Sequence, residues 1–236
     1  MKNKLIILGI LALLVSGFVL AGCLTGCLTS CSNNVPDITW TVKQVGGAGT
    51  AGNAATADTT SIVITFSDDV ADIKVKAGNI SLTNLPPGTN VGTMAFSGKT
   101  CTIPITAIGG TEYAMVQVVN KDGVVDGTPQ NVLLYKSGDT VPKNYIVKVD
   151  GIENHVTTTK LTLLFPEDVS GVTAAIPTPA PTDSAAGTAS VVMGAGAAGK
   201  TWPLNATVTK QGYILLAVTA AGYTAAPKVV SVFKKK

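Results

Sequence analysis

Hydrophobic and polar residues alternate along several short stretches of this chain. In residues 61–66 (SIVITF) and again in residues 160–165 (KLTLLF), every second position holds a large apolar side chain. Successive side chains of a β-strand point to opposite faces, so this period of two predicts strands with one face in a core. Residues 114–119 and 214–218 are apolar at nearly every position, which predicts strands in the middle of sheets.

The spacing of these segments indicates an internal duplication. Residues 59–70 align without a gap with residues 158–169, and the match continues on both sides. The further matched segments are 40–43 with 145–148, 98–101 with 199–202, Tyr113 with Tyr213, and 132–136 with 230–234. A period of roughly 100 residues is too long for a solenoid and predicts separate domains in series.

Each copy contains about seven strand signals separated by turn residues such as Gly109-Gly110 and Asp150-Gly151, a spacing typical of an immunoglobulin-like β-sandwich. The predicted fold class is therefore all-β, with two tandem immunoglobulin-like β-sandwich domains at residues 37–136 and 144–236. Residues 137–143 form a polar linker with Gly and Pro. Because this linker carries no apolar stripe, we expect the two domains to fold and unfold nearly independently.

The first 22 residues have the features of a signal peptide. Lys2 and Lys4 precede an unbroken apolar run at residues 5–20, and two small residues follow. The alternative is an uncleaved membrane helix, because the run approaches the length that spans a bilayer. Residues 20–23 (LAGC) resemble the lipobox of bacterial lipoproteins. That resemblance implies removal of residues 1–22 and lipidation of Cys23 as the mature N-terminus.

Residues 23–36 are predicted to be a lipid-anchored flexible tether. Residues 24–27 (LTGC) and 28–31 (LTSC) also resemble lipoboxes, so cleavage before Cys27 or Cys31 stays open. Further acylation or an intermolecular disulfide is favoured for these two cysteines over a metal site, since no histidine or acidic cluster accompanies them. Leu24 after the cysteine resembles the signal for sorting to an outer membrane. The predicted location is the cell envelope, with the outer membrane or cell surface favoured.

The first copy also resembles a known family of domains. Phe66, Asp69-Val70, residues 77–84, residues 98–100 and the strand around Tyr113 are similar to the bacterial Ig-like repeats found in tandem on surface lipoproteins and adhesin-like proteins. The resemblance implies a fold and a surface location, and it implies no reaction. In the second copy, the proline-rich residues 176–181 replace an expected strand, which leaves one edge strand of that domain open.

Composition and charge narrow the class of partner. Hydrophobic residues make up 46% of the 236 residues and charged residues only 13%, which excludes a disordered chain. The net charge is +3, but Lys2, Lys4 and the three terminal lysines contribute +5, so the body between them carries −2 and has no basic face for nucleic acid. The terminal lysines are interpreted as a solvated end. The alternative is weak attraction to anionic lipid head groups.

Acidic residues cluster after the two matched strands. Asp68, Asp69 and Asp72 follow the first, and Glu167 and Asp168 follow the second. Carboxylate oxygens are the ligands of calcium, so a calcium site is one hypothesis. The favoured interpretation is a solvated turn whose charges oppose aggregation at a sheet edge. A catalytic carboxylate pair is the least favoured reading, because no cleft is indicated.

Other residues with chemical potential are predicted to be structural. His155 is the only histidine and has no neighbouring nucleophile or acid, so a surface turn is expected. Trp40 and Trp202 could stack on sugars, but both occupy matched apolar positions and are predicted to lie in the cores. Cys101 matches Trp202 and alternates with isoleucines, which predicts a buried free thiol.

The function predicted from these observations is that of a non-catalytic, lipid-anchored bacterial surface protein. Its Ig-like modules are expected to serve as a structural spacer or as adhesion and interaction domains. The alternative is a glycan- or host-protein-binding lipoprotein that uses the loops at the ends of its sandwiches. We expect no catalytic residue, cofactor, metal or nucleic acid. The expected partners are the membrane, through the lipid on Cys23, and a protein or glycan.

Overall fold

The computed structural model describes residues 38–119, 125–151, 155–177, 185, 189–195 and 198–235. Within these ranges the regular structure consists of strands and one 3-10 turn, Ala77–Asn79. No helix in the described ranges is long and apolar enough to cross a membrane. The strands are β1 (Trp40–Val45), β2 (Ser61–Phe66), β3 (Ile80–Thr83), β4 (Asn90–Val91), β5 (Ala95–Ser97), β6 (Thr100–Ala107), β7 (Glu112–Val118), β8 (Gln130–Leu134), β9 (Ile146–Val149), β10 (Lys160–Leu164), β11 (Thr173–Ala175), β12 (Ala189–Met193), β13 (Thr201–Val208), β14 (Gly212–Thr219) and β15 (Lys228–Val232).

The first eight strands form a two-sheet unit, which we call sandwich 1. One sheet has the order β1-β2-β6, and β4 and β5 both pair with β6 at its far side. The other sheet has the order β3-β7-β8. All of these pairs are antiparallel. If β4 and β5 are counted together as one strand, this is the arrangement of a constant-type immunoglobulin domain. In that arrangement, a sheet of four strands packs on a sheet made of the third strand and the last two.

The last seven strands repeat this arrangement as sandwich 2. One sheet has the order β9-β10-β13-β12 and the other the order β11-β14-β15, again with antiparallel pairs. The strand order confirms the predicted all-β fold with two immunoglobulin-like sandwiches in succession. It also resolves the edge strand left open by the proline-rich segment. β11 ends just before Ile176 and β12 forms the edge of its sheet, whereas residues 178–184 lie outside the described residues.

Each sandwich encloses its own core, as the alternation in the sequence predicts. In β2, Ile62 and Ile64 are completely buried and pair with Ile103 and Cys101 of β6. In β10, the matched Leu161 and Leu163 are also completely buried and pair with β13. Each core is thus built from the inward faces of both sheets of its own sandwich.

A matched pair of buried threonines closes both sandwiches in the same way. The Tyr135 N–H donates to Thr59 Oγ1 over 2.9 Å, and the Thr59 N–H donates to the Tyr135 carbonyl over 2.8 Å. Thr158 makes the same two hydrogen bonds with Phe233, also at 2.9 and 2.8 Å. These reciprocal bonds tie the entry of the second strand to the end of the last one. Gly47 is required beside Thr59, because a Cβ there would lie 2.5 Å from the threonine oxygen.

The segment 137–143, predicted as a polar linker, is fixed to sandwich 1 by backbone hydrogen bonds. The Ala55 N–H donates to the Asp139 carbonyl over 2.7 Å, and the Val141 N–H donates to the Asn53 carbonyl over 2.8 Å. Val141 is buried, and an Asp139 carboxylate oxygen accepts the Thr111 N–H at 3.0 Å. The segment is therefore held in place by its backbone hydrogen bonds, by the buried Val141 and by the Asp139 carboxylate.

Candidate functional site

The residue predicted to carry the lipid lies outside the described residues. This applies to Cys23 and also to Cys27 and Cys31, so lipidation stays a prediction from the sequence. The functional geometry that the structure does describe concerns the acidic turns, the aromatic residues and the faces of the sheets.

The acidic cluster of sandwich 1 is used in local turn contacts. Asp69 Oδ1 accepts the Ala71 N–H at 2.9 Å, and Asp68 accepts the Ser67 hydroxyl at 3.0 Å. Within the described residues, no three side chains of histidine, cysteine, aspartate or glutamate come together as a metal-holding group. The structure therefore does not bring Asp68, Asp69 and Asp72 into one ligand set.

In sandwich 2, Glu167 joins the linker to the body of the domain. Its carboxylate forms an ion pair with Lys143 and accepts the Tyr223 hydroxyl at 3.4 Å. The hydrogen bond from Lys143 lowers the pKa of Glu167, and the same bond raises the pKa of Lys143. Both side chains are well exposed, so solvent screens the pair and it contributes little to stability.

The two tryptophans differ in burial. Trp40 is 4% exposed, and its Nε1–H donates to the Asp126 carbonyl over 2.6 Å, which confirms a core position. Trp202 is only partly buried at the margin of its core, and its Nε1–H donates to the Gly199 carbonyl over 2.9 Å. The expectation that Trp202 lies in the core therefore holds in part, since the indole packs against the core but is not fully enclosed by it.

The remaining two candidates lie where the sequence predicts. His155 is exposed in a turn. Cys101 is a free thiol with no exposed surface, and burial raises its pKa to about 11. A thiol in such surroundings stays protonated at neutral pH and is unreactive, so Cys101 acts as a small apolar core residue.

The structure also reveals a contact that the sequence analysis missed, an apolar cluster between the two sandwiches. In β7, Ala114, Val116 and Val118 face the core of sandwich 1, while Met115 points outward. Met115 packs with Tyr213 and Leu215, which point outward from β14, and with Val229 of β15. Met115, Tyr213 and Leu215 are all at most 7% exposed. We call these four residues the central interface.

The central interface corrects the expectation that the two domains share no apolar surface. The contact lies between the sheets β3-β7-β8 and β11-β14-β15. The expectation rested on the absence of an apolar stripe from the linker and did not consider the faces of the sheets. The signal was present, since residues 114–119 and 214–218 are apolar on both faces. Those strands are indeed the middle strands of their sheets, as predicted, but the outward face is covered by the other sandwich.

One lysine of sandwich 2 is held among polar and aromatic groups. Lys228 Nζ donates to Asn144 Oδ1 over 2.5 Å and to the Tyr145 carbonyl over 2.8 Å, and lies 4.4 Å from the centre of the Tyr145 ring. Burial lowers the pKa of Lys228 to about 8. Tyr145 packs against Phe165 and is 1% exposed, and its hydroxyl has no hydrogen-bond partner among the described residues.

Comparison with known proteins finds similarity to solved structures. No protein-family model and no curated protein matches this chain. The chain is similar to the structure of FdeC, a broadly conserved Escherichia coli adhesin, at 17% sequence identity with a TM-score of 0.25. The similarity covers 83% of this chain and 64% of that chain, so this chain spans less than two thirds of the FdeC structure. The fold assignment rests on the strand order described above.

Proposed function

We propose that this chain is a non-catalytic, lipid-anchored protein of the bacterial surface, in which the two sandwiches act as a structural spacer or as adhesion and interaction modules. The observation that carries the proposal is the immunoglobulin-type strand order, which occurs twice in succession with a separate core in each sandwich. Such sandwiches are stiff scaffolds that present loops at their ends and open sheet faces between them. Many unrelated functions use this scaffold, so the fold alone does not name a partner.

The local use of polar side chains supports a structural role. Asp68 and Asp69 support a turn, Asp139 fixes the linker, and Glu167 pairs with Lys143. The lipobox-like residues before Cys23 supply the anchor in this proposal. The two sandwiches would then be held close to the membrane by a short tether of residues 23–36.

The anchor is tested by the intact mass of the chain from the membrane fraction. We expect a mature chain that begins at Cys23 and carries diacylglycerol, and we expect Cys23→Ser to accumulate as unprocessed precursor unless cleavage shifts to Cys27 or Cys31. Cys101→Ala is the matched control and should be lipidated normally. An unmodified thiol at Cys23 in the mature chain would contradict the proposal.

Surface location and interaction are tested on intact cells. Added protease should degrade the sandwiches of a surface-exposed chain and spare those of a chain that faces the periplasm. The full chain in mild detergent can then be applied to a glycan array and to immobilised extracellular-matrix proteins. Saturable binding to one of these favours the interaction role, and binding to neither favours the spacer role. Turnover of a substrate by the purified chain would overturn the non-catalytic proposal.

A further inference from the structure

Asn131 makes an unusual contact across the boundary between the sandwiches. It lies on β8 between the partly buried Gln130 and the buried Val132. Because Val132 faces the core of sandwich 1, the side chain of Asn131 is directed away from that core. Its Nδ2–H donates to the Pro227 carbonyl over 2.9 Å, and its Oδ1 accepts the Val229 N–H at 3.3 Å. A single side chain thus satisfies two backbone groups of the other sandwich.

The two backbone groups have the spacing that a strand offers to a neighbour. In a parallel ladder, one residue pairs with the carbonyl before and the N–H after the residue it faces. The carboxamide of Asn131 meets Pro227 and Val229 in this way, on either side of Lys228. β15 is the last strand of its sheet, so Asn131 supplies hydrogen bonds to an edge that would otherwise meet water.

Further hydrogen bonds cross the same boundary. The hydroxyl of Thr224, which is 1% exposed, donates to Glu112 Oε1 over 2.5 Å. The linker residue Lys143 donates its N–H to the Gly222 carbonyl over 3.1 Å and accepts the Thr224 N–H at 3.3 Å. Gln117 Nε2 lies 3.4 Å from the Tyr213 hydroxyl. Directional contacts therefore surround the central interface.

We infer that Asn131 is a clamp that fixes how the two sandwiches face each other and couples their unfolding. The apolar contacts of the central interface are non-directional and tolerate sliding of one sheet over the other. A carboxamide that bridges two backbone groups at a fixed spacing permits one register only, because hydrogen bonds weaken steeply with misalignment. This inference goes beyond the proposed function and does not depend on it.

The tryptophans allow a direct test, since each sandwich contains one. In the full chain in mild detergent, Trp202→Phe leaves Trp40 as the reporter of sandwich 1, and Trp40→Phe leaves Trp202 as the reporter of sandwich 2. In each of these two variants, we expect the tryptophan midpoint to coincide with the midpoint of the far-ultraviolet circular dichroism of the whole chain when Asn131 is present. Asn131→Ala, although it lies in sandwich 1, should lower the midpoint seen by Trp202 by about 3–8 °C.

The matched control is Asn90→Ala, which changes an exposed asparagine of sandwich 1 away from the boundary and should leave the Trp202 midpoint in place. A Trp202 midpoint that does not respond to Asn131→Ala, or a tryptophan midpoint that differs from the circular-dichroism midpoint of the same variant before any change at Asn131, would overturn the inference.

Amide hydrogen exchange provides a second measurement, because it separates a local loss of protection at Val229 from a general loss of stability. In Asn131→Ala, the Val229 amide should exchange at least about tenfold faster, while amides in the centre of β10 stay protected. Unchanged protection at Val229 in this variant would show that the clamp does not exist in solution.

Discussion

The two sandwiches connect their first and last strands through different side chains. In sandwich 1, Gln130 at the start of the last strand donates its Nε2–H to the Trp40 carbonyl over 2.7 Å. In sandwich 2, Lys228 at the start of the last strand donates to the Tyr145 carbonyl over 2.8 Å. A hydrogen bond from a side chain at the start of the last strand to a backbone carbonyl at the first strand is thus kept, while the donor is a neutral amide in one copy and an ammonium group in the other.

The difference teaches that the two copies preserve the position of this hydrogen bond more closely than the chemistry of the side chain that donates it. Trp40 has a partner for its indole N–H, whereas the Tyr145 hydroxyl is buried without one among the described residues. Burial also lowers the pKa of Lys228 to about 8 and raises the pKa of Tyr145. Sandwich 2 therefore contains polar groups that oppose its stability, and sandwich 1 has better-matched groups at these positions.

The largest expected difference concerns the two tryptophans. Trp40→Ala should lower the free energy of unfolding by about 3–5 kcal/mol, because it empties a buried site and removes the hydrogen bond to Asp126. Trp202→Ala should cost only about 1–3 kcal/mol, since part of that indole is already in water. Urea denaturation followed by circular dichroism measures both. Equal losses would mean that the margin of the second core is as closed as the interior of the first.

Substitution of either matched threonine should lower the free energy of unfolding by a similar amount. Thr59→Val and Thr158→Val keep the shape of the side chain, but each leaves a buried N–H, of Tyr135 or Phe233, without its acceptor. Each should lower the free energy of unfolding by about 1–3 kcal/mol in urea denaturation. A clear difference between the two variants would break the equivalence of the sandwiches at this point.

The unpartnered hydroxyl of sandwich 2 predicts a gain. Tyr145→Phe removes a buried polar atom that has no partner in the described structure, and should raise the free energy of unfolding by about 1 kcal/mol. Tyr223→Phe is the matched control. It removes the long hydrogen bond to Glu167 at the surface and should lower stability slightly. If Tyr145→Phe destabilised the protein, the Tyr145 hydroxyl would have to be bonded in solution.

A further difference concerns the pH dependence of stability. The ordinary pKa of lysine is near 10.5 and the folded pKa of Lys228 is about 8, so the unfolded chain holds more protons between these values. The contribution of Lys228 to stability therefore rises as pH increases from about 8 to 10.5, and is lost as pH falls through about 8. Lys228→Gln, which copies sandwich 1, should abolish this rise in urea titrations across that range. The exposed Lys148→Gln should keep it, and a rise that survives Lys228→Gln would assign it to another group.

The alternation of residues in 61–66 and 160–165 predicted the strands and their buried faces because a period of two has a single structural cause. The central interface was missed for a related reason. A strand that is apolar on both faces reads the same whether the second face meets its own domain or another one, and periodicity does not separate the two. Trp202 also follows the alternation of β13 and packs against the core, but alternation does not predict how completely a side chain as large as an indole is enclosed.

The contacts of the linker could not be predicted from its polar composition. Asp139 and Val141 form hydrogen bonds with residues of sandwich 1 that are distant in the sequence. Composition reports which groups need hydrogen bonds, and it does not report whether water or protein supplies them. Side-chain contacts such as those of Asn131 and Lys228 depend on the relative position of distant strands, which a single sequence does not encode locally.

The hydrogen bonds of segment 137–143 also set an order of completion for a chain that emerges with its N-terminus first. Loop residues Asn53 and Ala55 can form their hydrogen bonds only after Val141 and Asp139 have been synthesised. Asn131 can form its hydrogen bonds only after Pro227 and Val229 have been synthesised. Tyr213 and Leu215 of the central interface precede these partners in the chain, whereas Val229 lies among them. The contact between the sandwiches is therefore complete only once β15 has been synthesised and has paired.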